Sequence, residues 1–295
     1  MEHPVFSDVR TLFNLKITKA EPFQRESGDP ILSFFISTQK QGEYFLKELQ
    51  SHSLRDGMDR IYEQFSTLAP QGYRLILPIA YDSGRYIFKS DGKLFLLFKR
   101  ESIRHFETSE MSHPRLLEIL QSFHRDISEF DLPAQGYRTY ESWLNRGPLL
   151  LKREYGEGLP FVTQFEEFMA NRFAQLGLAK GNIHWDVHQY NFCFDEKGSL
   201  AILDLDLAQQ GDYACDLIRA TNMYLRLEGG SEHLENESLQ VLMDSIPDGK
   251  VPLTKSDLKL LLCRTVMIAP SQWENSQQRR KECVEYLQSL EKFVS

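Results

Sequence analysis

Eight consecutive residues, His184-Trp185-Asp186-Val187-His188-Gln189-Tyr190-Asn191, bring two imidazoles, a carboxylate and two amides into one short segment. Phe192-Cys193-Phe194 follows, then a turn at Asp195 to Gly198, then Leu200-Ala201-Ile202-Leu203-Asp204-Leu205-Asp206. Two apolar runs around a tight Asp-Glu-Lys-Gly turn read as a β-hairpin. The two ends of a hairpin are close, so Asp186 and Asn191, just before it, are expected to converge with Asp204 and Asp206, just after it. Carboxylates gathered this closely repel unless something neutralises them. A divalent cation does so economically, and hard oxygen ligands suit Mg²⁺. Against this stands a plain structural role, in which Asp186 and Asn191 only cap and turn a loop. Two other chemistries have partial support. His184, Asp186 and His188 alternate along an extended segment and could ligate zinc, but a third histidine at a suitable spacing is missing. Asp204-Leu205-Asp206 after an apolar strand also suits a phosphatase nucleophile, yet only 91 residues remain and they read as helix.

Composition narrows the partners. The chain has 295 residues, 41% hydrophobic and 26% charged, ordinary globular values that exclude a disordered or collagen-like chain. Its net charge of -8 argues against a non-specific grip on nucleic acid or an anionic membrane. A nucleotide remains compatible, since one lysine and one metal ion can do the charge work. The longest apolar run, Leu75 to Tyr81, contains Pro78 and is far short of the roughly 20 residues a membrane span needs. Met1 to Arg10 carries no basic stretch followed by an apolar core, so no secretory signal is expected. Cys193, Cys215, Cys263 and Cys283 form no C-x-x-C pair and read as reduced thiols, in keeping with a cytoplasmic protein.

The elements that must hold the segment fall into two halves. Strands are expected over Leu15 to Phe23, Ile31 to Thr38 and Glu43 to Leu49, which are rich in β-branched and aromatic residues. Met58, Ile61, Tyr62, Phe65 and Leu68 recur at helical spacing. Arg85 to Lys89 and Lys93 to Lys99 flank Ser90-Asp91-Gly92, a good hairpin turn. After Arg100 helices dominate: Leu116, Leu117, Leu120, Phe123 and Ile127 mark one, Phe161, Phe165, Phe168, Met169 and Phe173 another, and Ser256 to Val294 a largely helical end. An α+β protein is expected, with a small antiparallel β-sheet lobe over residues 1–100 and a larger, mainly helical lobe over 101–295.

The pattern H-x-D-x-H-x-x-N, an apolar strand ending in Asp204, and then Asp212-x-x-x-Asp216-Leu217 resembles the aminoglycoside phosphotransferase and choline kinase family, a branch of the protein-kinase-like fold. Asp186 to Asn191 is five residues and Asp186 to Asp204 eighteen, as in those kinases. One departure is Trp185, where the family usually has glycine. The resemblance implies an ATP-dependent kinase, with GTP as a possible donor and Mg²⁺ as cofactor. Asp186 would then orient the attacking hydroxyl and receive its proton, while Asn191 and Asp204 hold the metal on the nucleotide phosphates. Asp206 would be a second metal contact or touch the acceptor.

Lys47, in Tyr44-Phe45-Leu46-Lys47, matches the family's apolar strand ending in the nucleotide-binding lysine. Its family partner is a glutamate on the next helix, here Glu63, although Glu63 points about 160° away from the apolar face at 100° per residue, and Asp59 is a rival. Ser27-Gly28 is a faint substitute for a glycine-rich phosphate loop, and the end of the Lys93 to Lys99 strand is the expected hinge. Phe123-His124-Arg125-Asp126 imitates the His-Arg-Asp of protein kinases, but Asp131 stands where asparagine is needed, so His124 is expected to serve packing. The implied acceptor is the hydroxyl of a small molecule such as an aminosugar, an amino-alcohol or a homoserine-like compound. Glu228, Glu232, Glu235 and Glu237 could line a pocket for an amine or simply face water. The alternatives are a protein Ser/Thr kinase of the same fold and a non-catalytic, nucleotide-binding pseudokinase.

Overall fold

The computed structural model describes residues 3–23, 33–49, 57–134, 163, 167–228 and 236–262. The chain divides into two compact units: Met1–His105 with Phe192–Leu207, and Phe106–Asn191 with Ala208–Ser295.

The first unit is built on an antiparallel sheet of five strands: β1 (Ile17–Phe23), β2 (Ser33–Thr38), β3 (Glu43–Glu48), β5 (Phe88–Ser90) and β6 (Lys93–Lys99), in the order β1-β2-β3-β6-β5. Alternation sorts its side chains. Phe34, Ile36, Tyr44, Leu46, Phe88, Phe95 and Leu97 share one face and pack with Val5, Phe6 and Val9 of helix α1 (Val5–Phe13) in a common core. Because directly paired residues point the same way, Ser33, Lys47 and Leu96 form a row on the opposite face. The β5–β6 turn has positive φ at both central residues, Asp91 (48°) and Gly92 (78°), which fits the twist of the strands it joins. Helix α2 (Met58–Ser66) buries Met58, Ile61, Tyr62 and Phe65, the stripe expected from their spacing.

A second, four-stranded sheet completes this unit: β4 (Tyr73–Leu75), β7 (Ile103–His105), β9 (Phe192–Asp195) and β10 (Leu200–Ile202), in the order β4-β10-β9-β7. The expected hairpin is β9–β10, with Phe192 opposite Ile202. Its turn is tied by Asp195, whose carboxylate accepts the Lys197 and Ser199 N–H groups at 2.9 Å. Since β10 pairs with β4 and β9 with β7, the hairpin belongs with the N-terminal unit, whereas a boundary at residue 100 assigns it to the second half.

The second unit is mainly helical: α3 (His113–Asp126), α4 (Tyr213–Leu227), α5 (Asn236–Ser245) and a helix over 255–262. A short antiparallel pair, β8 (Lys180–Ile183) and β11 (Gln209–Asp212), joins them. A π-helical turn, Met169–Phe173, enters it from the helix expected there. Phe161, Phe165, Ser27, Gly28 and most of Ser256 to Val294 lie outside the described residues. Among the described residues, no helix is long and apolar enough to cross a membrane.

Candidate active site

Strand β8 ends at Ile183, and the chain then makes a sharp loop through His184, Trp185 and Asp186. Trp185 has φ of 73°, a left-handed backbone that a bulky L-residue rarely adopts. Asp216, in the first turn of α4 and fully buried, holds it there. One carboxylate oxygen accepts the His184 N–H at 2.7 Å and the other the Trp185 N–H at 2.9 Å. The first oxygen also takes His124 Nε2 at 2.9 Å. Burial raises the Asp216 pKa, but the His124 bond, the two imidazoles and the backbone donor outweigh it, so the carboxyl is held below its ordinary range. His124, expected to serve packing, is buried and braces the loop through Asp216.

The loop presents Asp186 to a ring of donors. Asn191 Nδ2 donates to the Asp186 main-chain oxygen at 2.9 Å and to Oδ2 at 3.2 Å. The Asn191 amide is thereby oriented, and its Oδ1 faces the other way. His188 Nδ1 accepts the Tyr190 N–H at 3.2 Å, which leaves Nε2 as the protonated nitrogen, 3.3 Å from Asp186 Oδ2. Arg219 on α4 donates to the Trp185 carbonyl and places Nη2 3.4 Å from Asp186 Oδ1. Burial works against the Asp186 charge, but His188, Arg219 and His184 outweigh it and keep the carboxyl well below the usual carboxylate range. His184 and His188 thus act as braces within the loop, the first accepting the Asp186 N–H on Nδ1 at 3.1 Å.

In the first unit, Lys47 Nζ lies 2.6 Å from Asp204 Oδ1 and 2.6 Å from Asp206 Oδ2. Asp204 has φ of 57°, a left-handed turn that Asp tolerates better than most residues, and its side chain is 31% exposed. Asp206 is only 3% exposed, and its second oxygen accepts the Tyr62 hydroxyl of α2. Burial alone would lower the Lys47 pKa, yet the two carboxylates raise it, so the ammonium stays charged. For Asp206, burial and the neighbouring Asp204 charge prevail over Lys47 and Tyr62 and raise its pKa.

Glu63 is not the partner of Lys47. It stands on the exposed side of α2 with its carboxylate against Gly84, as its helical angle forewarned. Asp59 is not the partner either, because it accepts the Tyr86 and Ile87 N–H groups at 2.7 and 2.9 Å. Nothing in the sequence marks Tyr62 as more than one residue of the apolar stripe, yet its hydroxyl donates to Asp206. Among the described residues no three His, Cys, Asp or Glu side chains cluster as a metal cage.

Residues 30–237 match the model of a phosphotransferase enzyme family. Among solved structures, choline kinase LicA from Streptococcus pneumoniae is 15% identical at a TM-score of 0.62, covering 97% of this chain and 98% of that one. Amicoumacin kinase hAmiN, in complex with AMP-PNP, Ca²⁺ and Ami, is 12% identical at 0.64, covering 98% and 93%. Spectinomycin phosphotransferase APH(9)-Ia, in complex with ADP and spectinomycin, is 13% identical at 0.58, covering 97% and 93%. At these identities the likeness establishes a shared kinase-like α+β fold. Curated protein sequences yield no match.

Proposed function

The chain belongs to the phosphotransferase enzyme family, and from that premise we propose that it transfers the γ-phosphoryl group of ATP to a hydroxyl of a small molecule. The observation that carries this reading is the Lys47 ammonium set 2.6 Å from Asp204, a cation for phosphate beside a carboxylate for metal. Nucleotides in two of the related structures, and small-molecule acceptors in the names of all three, support the same assignment.

The donor set suits Mg²⁺, which typically takes one or two protein oxygens and completes its shell with phosphates and water. Asn191 and Asp204 are the proposed ligands. The hairpin register supports their pairing: Phe192 is opposite Ile202, so the chain entering from Asn191 and leaving toward Asp204 does so at one end of the ladder. Bound there, the ion would spread the charge that develops on the transferring phosphoryl group.

Asp186 is the proposed catalytic carboxylate. With its pKa held low it is a weak base, so its work is to accept a hydrogen bond from the acceptor hydroxyl and aim the oxygen. The proton follows late, as the O–P bond forms, which suits the loose transition state of phosphoryl transfer. The His188, Asn191 and Arg219 donors keep the carboxylate from rotating while the acceptor docks.

The test is Mg²⁺-dependent ADP release across a panel of amino-alcohols, aminosugars, homoserine-like compounds and generic protein substrates. Turnover with a small hydroxyl compound is expected, lost by roughly a thousandfold or more in Asp186→Ala, which still binds Mg-ATP. Turnover with protein substrates alone, with no acceptor, or undiminished in Asp186→Ala would overturn the reading.

A further inference from the structure

Among the described residues of α2, no carboxylate reaches Lys47, yet the lysine side chain is only 11% exposed and must be held. Its two partners differ. Asp204 is about one-third exposed and sits on a left-handed backbone turn. Asp206 is almost fully enclosed in the short 3₁₀ turn Leu205–Leu207 and uses both oxygens, one for Lys47 and one for the Tyr62 hydroxyl. Tyr62 is itself 2% exposed, on the buried stripe of α2 with Ile61 and Phe65, and ring to ring with Tyr86 at 5.7 Å.

We propose that Tyr62 is the positioning residue of the nucleotide site, holding Asp206 as the permanent seat of Lys47 while Asp204 is its exchangeable partner. The inference rests on the nucleotide reading above and adds how the lysine is kept in place. A metal-bound nucleotide needs Asp204 for the cation, which withdraws one of the two carboxylates from the ammonium. Without a second anchor Lys47 would have to be reoriented each time from a disordered state, at an entropic cost. Asp206 prevents this only if its own carboxylate is fixed. A rotating carboxylate in a buried turn would carry the lysine with it, and the hydroxyl of Tyr62 stops that rotation. The helix is thereby linked to the phosphate site through a neutral hydroxyl and a carboxylate in series rather than through an ion pair. This also accounts for Glu63 facing away: with Asp206 in place, a further buried carboxylate would add like charge beside Asp204 and Asp206.

The test is Mg-ATP affinity by titration calorimetry on the full chain, with melting temperature as a check of folding, for Tyr62→Phe, Asp206→Asn and Glu63→Gln. Each is made in the native background and again with Lys47→Met. Tyr62→Phe is expected to weaken Mg-ATP about fivefold to tenfold, Asp206→Asn by more, and Glu63→Gln by less than twofold. In the Lys47→Met background the Tyr62→Phe effect should vanish, because the hydroxyl acts only through the lysine; a purely packing role would leave it unchanged. Should Tyr62→Phe prove unstable, Asp206→Asn keeps the shape of the turn and its cycle with Lys47→Met decides. Native-strength binding in Tyr62→Phe, an undiminished effect without Lys47, or a larger loss in Glu63→Gln would overturn the inference while leaving the nucleotide reading standing. A native chain that binds no Mg-ATP would overturn both.

Discussion

Replacing Asp216 by asparagine preserves the outline of the side chain and tests whether its charge builds the loop. The carboxylate receives three donors: the His184 N–H, the Trp185 N–H and His124 Nε2. An asparagine supplies one oxygen and an NH₂ group. In its better orientation the oxygen keeps His184 and His124, and the NH₂ meets the Trp185 N–H. That strands one buried donor, costing roughly 1–3 kcal/mol, and the two surviving bonds each lose about 1 kcal/mol as they cease to be charge-assisted. Loss of a negative charge in the first turn of α4 adds about 0.5 kcal/mol. The terms are coupled, so a net loss of roughly 4 kcal/mol is expected, equivalent to about 6 °C in melting temperature for a chain of this size. Trp185 loses the bond that holds its left-handed backbone, so Asp186 swings and phosphotransfer falls by roughly ten to a hundredfold even below the melting transition. Thermal unfolding followed by ADP release at 20 °C reads both effects. A melting temperature within 2 °C of native, together with unchanged turnover, would refute this account of the loop.

Two further outcomes follow from the same geometry. His113, 5% exposed with Nε2 2.9 Å from the Thr221 hydroxyl, has its pKa lowered by burial to about 4. Its folded pKa lies below the unfolded value, so the stability it contributes is complete above pH 6.5 and is lost as pH falls toward 4. The difference is on the order of 3 kcal/mol, and His113→Gln should flatten that part of the stability–pH curve; an unaltered slope would count against it. Trp185→Gly relieves about 1 kcal/mol of left-handed strain but deletes an indole that is 3% exposed, so the chain should lose roughly 2–4 kcal/mol in chemical denaturation, and a gain would contradict the packing assigned to Trp185.

The residues of the site were legible to the extent that their chemistry is written locally. The hairpin that follows Asn191 and precedes Asp204 has a turn and apolar strands that follow from its own residues, and Phe192 opposite Ile202 is the register such a turn gives. The β2–β3 pair and the α2 stripe were readable for the same reason. Other features depend on contacts distant in sequence. Tyr62 meets Asp206 across 144 residues, and nothing in an apolar stripe distinguishes a tyrosine that packs from one that also donates a hydrogen bond. His124 likewise reaches Asp216 across 92 residues, and the imitation of a His-Arg-Asp motif concealed its role as a brace. Strands β4 and β7 have three residues each, too few for any period to emerge, so the sheet that draws the hairpin into the N-terminal unit had no signal. Helix α1 does carry one, Val5, Phe6 and Val9 at helical spacing.

In the proposed function, Lys47 and Asp204 receive a magnesium nucleotide. Titrating the protein with ATP in Mg²⁺ and again in EDTA, for the native chain and for Asp204→Ala, addresses it most directly. Tight binding that needs the metal is expected in the native chain, with a loss of that metal dependence in Asp204→Ala. Equal affinity in Mg²⁺ and EDTA for the native chain, or an intact metal dependence without Asp204, would contradict it.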